Sequence, residues 1–235
     1  MLADETAGVR CRPVEFAELL SPRGRRVLEG KSPLAGILKT GTRFISERGL
    51  LDAAKCRRVL ARLEADVKLV PFERGIPPES IWGLTRNYEE LLPKTVRCHT
   101  SSSTAKLERG VLSFMRSDTF KQFAEVLSGR KLRKRWGTQV LAYGPGDYAG
   151  PHHDHHPEEP LARDGYTDVH LSLCTAGVKA QTLVYAPYAH FSEAASVVGP
   201  PLVTAYRLPF WHYTTPLQGR PGSRRWLLLG TFLDA

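Results

Sequence analysis

An α+β fold, with helices through the first half and a β-sandwich or jelly roll in the second, is what this sequence predicts, and three observations predict it. Between Gly49 and Gly129 three segments set apolar residues at helical spacing, while little regular structure is expected of the first 45 residues. From Trp136 onward apolar residues gather into short β-branched or aromatic runs separated by Gly, Pro and Asp. No internal repeat or low-complexity tract suggests a solenoid or propeller. Strands at short spacing, preceded by helices able to buttress one sheet, make a jelly roll with a helical layer the economical arrangement.

Three segments carry the helical reading. LLDAAKCRRVLARLEADV (50–67) sets Leu51, Ala54, Val59, Leu60 and Leu63 near one face. PPESIWGLTRNYEELLP (77–93) has acidic residues near its start and Pro93 at its end. SDTFKQFAEVLSG (117–129) is the clearest: Ser117 or Asp118 can cap it, Phe120, Phe123, Ala124 and Leu127 share a face, and Gly129 offers a left-handed stop. The strand reading rests on TQVLAYG, DVHLSLC, QTLVYAP, PPLVTAYRL and RRWLLLGTFL. One domain over 1–235 is expected, with a mainly helical region over 1–115 and a helix plus the β core over 116–235.

Hydrophobic residues at 42% and charged residues at 24% exclude a globally disordered or fibrous chain. No apolar run reaches a membrane span, and the N-terminus lacks the apolar core of a signal peptide, so a cytoplasmic protein is expected. Cys11, Cys56, Cys98 and Cys174 are scattered without CxxC pairing, which points to free thiols rather than a zinc ribbon or disulfide framework. The net charge of +9 comes partly from RGRR (23–26), RKLRKR (130–135) and RPGSRR (220–225). Such clusters attract anions of many kinds and do not choose among nucleic acid, acidic proteins and carboxylate metabolites. RKLRKR reads as a solvated helix end and connector. Oligomeric state is left open.

Chemistry concentrates in YAGPHHDHHPEE (148–159), which sets four of the eight histidines around Asp154. In an extended segment His152, Asp154 and possibly His156 face one way, and His153 and His155 the other. His152-x-Asp154 can thus present two ligands to one metal. Of the downstream histidines, His170 falls in an alternating strand where a half-buried or exposed place is expected, and His190 falls in a loop-like AHFSEA. His212, in LPFWHYTTPL, has aromatic and proline neighbours to hold it in an apolar wall and is the best third ligand. Two His and one carboxylate on one side of a metal leave the other side open, as in non-haem Fe(II) oxygenases. A dicarboxylate cosubstrate such as 2-oxoglutarate then needs a fixed cation. Arg220, Arg224 and Arg225 follow His212, and Arg225, opening RRWLLLGTFL, is the first choice. Arg224 and Arg225 face opposite ways in a strand, so only one can enter the pocket.

From about Ser117 to Asp234 the chain resembles the Fe(II)- and 2-oxoglutarate-dependent oxygenases, nearest to their prolyl-hydroxylase-like branch. The matching segments stand in order: SDTFKQFAEVLSGRKL, QVLAYGPGDYAGPHHD, QTLVY and LPFWHYTTPLQGRPGSRRWLLLGTFL. The resemblance implies a double-stranded β-helix, with His152, Asp154 and His212 on iron, Arg225 on the distal carboxylate of 2-oxoglutarate, and Tyr143 lining the cosubstrate pocket. The family order of His before Asp favours His152 over His156. It also implies O2 as co-reactant, succinate and CO2 as products, and hydroxylation of an amino-acid-type substrate, free, peptidyl or peptide-like. The loop between His212 and Arg225 is longer than the family's, which keeps Arg224 and Arg220 as alternative anchors. Two other functions fit parts of the sequence: a nucleic-acid oxidative demethylase, from the basic runs, and a non-enzymatic jelly-roll module holding a closed, four-ligand metal.

Overall fold

The β-rich half forms a double-stranded β-helix in the computed structural model, which describes residues 14–39, 41–76, 93, 95–154, 160, 162, 165–186 and 191–235, with backbone alone at 134–136. One half of an antiparallel sheet runs in the order β1 (Phe44–Arg48), β10 (Leu202–Leu208), β6 (Tyr166–Cys174), β13 (Arg225–Asp234) and β4 (Leu132–Tyr143). The other half runs β5 (Tyr148–His152), β11 (His212–Thr214), β8 (Thr182–Tyr185) and β9 (Glu193–Ser196). β3 (Thr95–Ser101) joins the halves, pairing with β4 at His99 and Thr100 and with β5 at Val96 and Arg97, and β2 (Leu69–Gly75) pairs outside it. β7 (Val178–Ala180) and β12 (Gln218–Gly219) form a separate short ribbon.

Strand alternation divides the first half-sheet into two chemistries. Val140, Ala142, Val169, Leu171, Leu173, Val203, Ala205, Trp226 and Leu228 join a core with the helical layer. Tyr143, Asp168, His170, Ser172, Tyr206 and Arg225 are also buried, but on the alternate positions that face the interior. β6 is therefore covered on both faces along almost its whole length.

Among the described residues the helical layer consists of α1 (Phe16–Leu19), α2 (Pro22–Leu28), α3 (Ala53–Asp66), α4 (Thr104–Glu108) and α5 (Asp118–Ser128). α5 forms as its sequence predicts: the Ser117 hydroxyl accepts from the Phe120 N–H, Gly129 is left-handed at φ 65°, and Phe120, Phe123, Ala124 and Leu127 are buried. The Phe120 ring lies 4.8 Å from Phe16 and 5.5 Å from Phe232. Gly230 admits that ring, since a Cβ there would come within 2.5 Å of Phe120 Cε1. α3 also forms, capped by the Asp52 carboxylate on the Lys55 N–H. Its buried face is Cys56, Val59 and Leu63, while Ala54 is exposed.

Three expectations change. Within 1–115 the described residues hold β1, β2 and β3 beside the helices, three strands that the sequence reading did not anticipate. FISER, LVPFERG and TVRCHTS carry little apolar alternation; neighbouring strands supply their pairing, so the cause lies outside each segment. RKLRKR runs from the end of α5 into β4, with Lys131 and Arg133 exposed and Arg130 pairing with Asp234 at 3.3 Å. His170 is buried. The helix expected over 77–93, together with Cys11, lies outside the described residues apart from Pro93.

Cys56, Cys98 and Cys174 are free, and burial pushes the Cys56 and Cys98 thiols up to about 12, so they behave as apolar groups. Among the described residues no helix is long and apolar enough to cross a membrane. Phe120→Ala should lower unfolding free energy by about 3–5 kcal/mol in urea denaturation, since it empties the centre of the helix–sheet layer.

Candidate metal centre

Three side chains converge at one end of the interior. His152 Nε2 lies 3.4 Å from Asp154 Oδ1, and His212 Nε2 lies 3.5 Å from Asp154 Oδ2. One ligand atom from each of the three falls within 4.8 Å of the others, and the two imidazole centroids are 4.4 Å apart. The cause is local. β11 pairs antiparallel with β5 so that His212 stands opposite His152, and the Thr214 hydroxyl accepts from the Ala149 N–H at 2.9 Å. Gly150, two residues before His152, lacks the Cβ that would come within 2.0 Å of the Pro93 carbonyl oxygen.

Each imidazole is oriented in the same way. His152 Nδ1 is 2.6 Å from the Gly150 carbonyl oxygen, and His212 Nδ1 is 2.9 Å from that of Phe210. An Nδ1–H donated to a backbone carbonyl leaves the Nε2 lone pair aimed at the centre, the state a metal ligand needs. Phe210 stacks on the His212 ring at 4.9 Å. This is the apolar wall anticipated from LPFWHYTTPL.

Asp154 reaches the centre by a different route from the one expected. β5 ends at His152, and Asp154 takes a left-handed conformation with φ 52°. Its carboxylate is brought back by a turn rather than by strand alternation. The Tyr166 hydroxyl donates to the Asp154 carbonyl at 2.9 Å and holds the turn. His153 packs edge-on against Trp211 at 4.7 Å. His155, His156 and His190 lie outside the described residues.

The electrostatics separate the two imidazoles. Burial works to lower the His152 pKa, but the Asp154 carboxylate and the Gly150 carbonyl raise it above its ordinary value. Burial, with His152 alongside, pushes His212 down to about 4.

The cavity beyond the triad encloses about 500 Å³ and also takes in Tyr143 and Arg225. Of the three candidate anchors Arg225 is the interior one, 1% exposed, whereas Arg220 is exposed and Arg224 pairs with Glu64 at 3.6 Å on the helical side. Arg225 Nε donates to Ser172 Oγ at 2.6 Å, Nη1 donates to Gln181 Oε1 at 2.9 Å, and the guanidinium lies 5.5 Å from the Tyr143 ring centre. Ser172 and Gln181 are themselves hydrogen-bonded to the carbonyls of Val197 and Thr215. Among the described residues no carboxylate forms an ion pair with Arg225. Burial lowers its pKa from an ordinary value so high that it stays charged. Burial raises Tyr143 and pushes Tyr206 up to about 12, so both keep their protons.

Ser172, Gln181, Asp168 and Tyr206 were not singled out from the sequence, and His170 was weighed only as a third ligand and set aside for His212. A signal for three of them existed: in DVHLSLC the polar residues Asp168, His170 and Ser172 occupy every second position.

No family model matches the sequence, and no curated protein sequence does either. Solved structures do match. A 2OG-Fe(II) oxygenase family oxidoreductase from Burkholderia pseudomallei is 12% identical at a TM-score of 0.54, over 95% of this chain and 93% of that one. This chain has the 2-oxoglutarate oxygenase fold. The non-haem α-ketoglutarate-dependent carbocyclase SnoK from nogalamycin biosynthesis is 13% identical at 0.57, over 88% of this chain and 86% of that one. A prolyl hydroxylase from Trichoplax adhaerens, in complex with a hypoxia inducible factor peptide fragment, is 12% identical at 0.53, over 90% and 89%.

Two imidazole nitrogens and one carboxylate, with Nδ1 atoms committed elsewhere, fit a divalent metal of the Fe(II) type. Asp154→Ala should weaken anaerobic Fe(II) binding by more than about tenfold in calorimetric titration. Metal affinity should fall as pH drops, beginning at a higher pH than for an ordinary imidazole, because protonation of His152 competes with the metal while His212 stays neutral. Titrations at stepped pH check the sign.

Proposed function

We propose that this protein is an Fe(II)- and 2-oxoglutarate-dependent oxygenase, formed as one domain over 1–235, that hydroxylates an amino-acid-type substrate. The observation that carries the reading is Arg225: a buried guanidinium with neutral partners, facing the same cavity as the His152, Asp154 and His212 cluster. A buried cation without an acidic partner is costly unless a ligand supplies the anion. In a closed structural metal site it would have no such use.

His152, Asp154 and His212 would hold the iron on one side and leave the other side free. Iron in such a site, with 2-oxoglutarate and O2, supplies a C–H oxidation coupled to release of succinate and CO2. Arg225 takes the distal carboxylate of 2-oxoglutarate, with Nε and Nη1 already fixed by Ser172 and Gln181 so that its remaining N–H groups point in a set direction. Tyr143, protonated and packed against the guanidinium, lines the same end. Arg224 is assigned to the helical side and not to the cosubstrate. Leu141, Leu183, Leu227 and Leu229 line the cavity and exclude water from the reacting groups. The amino-acid-type substrate follows from the prolyl-hydroxylase-like motif order, and the peptide-bound prolyl hydroxylase of the same fold supports it.

Anaerobic addition of Fe(II) and then 2-oxoglutarate should produce the visible charge-transfer band of the chelate. In Arg225→Ala, titration of the band should show 2-oxoglutarate affinity reduced on the order of tenfold to a hundredfold, the worth of a charge-assisted contact. Iron binding without a band in the wild type would overturn the reading.

A further inference from the structure

The interior wall beside the metal centre carries a second polar pair that the cosubstrate does not use. Asp168 and His170, neighbours on the same face of β6, are 6% and 8% exposed and both line the cavity. His170 Nε2 is 3.2 Å from Asp168 Oδ2. The other polar atom of each, Asp168 Oδ1 and His170 Nδ1, is buried without a hydrogen-bond partner among the described residues. Two unmet polar atoms on one buried pair are unusual and call for a ligand.

The chemistry of the pair limits that ligand. With Asp168 Oδ2 on His170 Nε2, Asp168 Oδ1 is left as an unmet carboxylate acceptor, which a donor on the ligand would satisfy. Charge balance in the cavity points the same way. With 2-oxoglutarate in place, the metal and Arg225 are matched by Asp154 and the two cosubstrate carboxylates, and among the described residues Asp168 pairs only with His170. Arg74, which also lines the cavity, is exposed at its rim and forms no ion pair with Asp168. Location and space agree. The Tyr206 ring lies 4.5 Å from His170 and 5.7 Å from His212, so a single aromatic ring separates the pair from the triad. Opposite Thr231, the cross-strand neighbour of Asp168, stands Gly137, where an added Cβ would meet nothing within 4 Å.

We propose that Asp168, positioned by His170, is the specificity group of the primary-substrate subsite and binds a cationic nitrogen, an ammonium or protonated amine, of the molecule to be oxidised. The inference rests on the oxygenase reading and narrows its substrate to compounds that carry a free basic nitrogen. A nitrogen held on Asp168 keeps a small substrate in the same cavity as the triad.

The test uses full-length protein loaded with Fe(II) and 2-oxoglutarate, first checked for the visible band. Free L-amino acids and short peptides, each alongside its fully N-acetylated form, are screened for stimulation of succinate release. At least one free amine should stimulate turnover while its acetylated form does not. In Asp168→Asn the band should persist, with the KM for that amine raised at least tenfold and the 2-oxoglutarate affinity unchanged. Equal stimulation by acetylated compounds, no stimulation by any free amine, or an unchanged KM in Asp168→Asn would each overturn the inference while the band upholds the oxygenase reading. A wild type that forms no band would remove both.

Discussion

Everything the cavity can do depends on one antiparallel register, the pairing of His212 with His152 between β11 and β5. β11 is only three residues long, so a slip of one position would turn its imidazole away from the interior. The register is held from several sides: by the Thr214 hydroxyl on the Ala149 N–H, by pairing of the same strand with β8, and by Nδ1 bonds from both imidazoles to carbonyls two residues upstream. These contacts use backbone groups, which move less than side chains. The carboxylate is then delivered by the left-handed turn at Asp154, a conformation of moderate cost for aspartate that its neighbours maintain.

The first half-sheet separates stability from chemistry by the two faces of its strands. One face is aliphatic and aromatic and packs on α5, Phe16 and Phe114. The other carries Arg225, Tyr143, Asp168, His170 and Tyr206 in the same depth of burial. Burying an Arg without an acid and an Asp beside a His opposes folding. The apolar face offsets that cost, and the same strands, held rigid by it, keep the polar groups in place for ligands.

Legibility followed the range of the interactions involved. α5 and α3 are set by capping and spacing within a few residues, and both stand where the sequence puts them, although Cys56 and not Ala54 completes the α3 face. β1, β2 and β3 were hidden because an edge or bridging strand owes its pairing to distant segments. His170 looked half-buried or exposed in an alternating strand, since a single strand does not reveal that both of its faces are covered.

By itself the sequence determined the α+β class, the five strands read from its second half, and the residue types of the candidate centre: His152 and Asp154 two positions apart, His212 in an aromatic wall, and arginines after it. Local pattern suffices for these because each is written within a dozen or so residues. Only the tertiary structure decided which arginine is interior, that Asp154 arrives through a turn, that Asp168 and His170 line the cavity, and that Ser172 and Gln181 hold Arg225 in place. Those outcomes depend on pairings such as Arg225 with Tyr143 and Cys174, between strands far apart in the chain. A side chain's burial and partners are properties of what packs against it, and no local stretch of sequence contains that information.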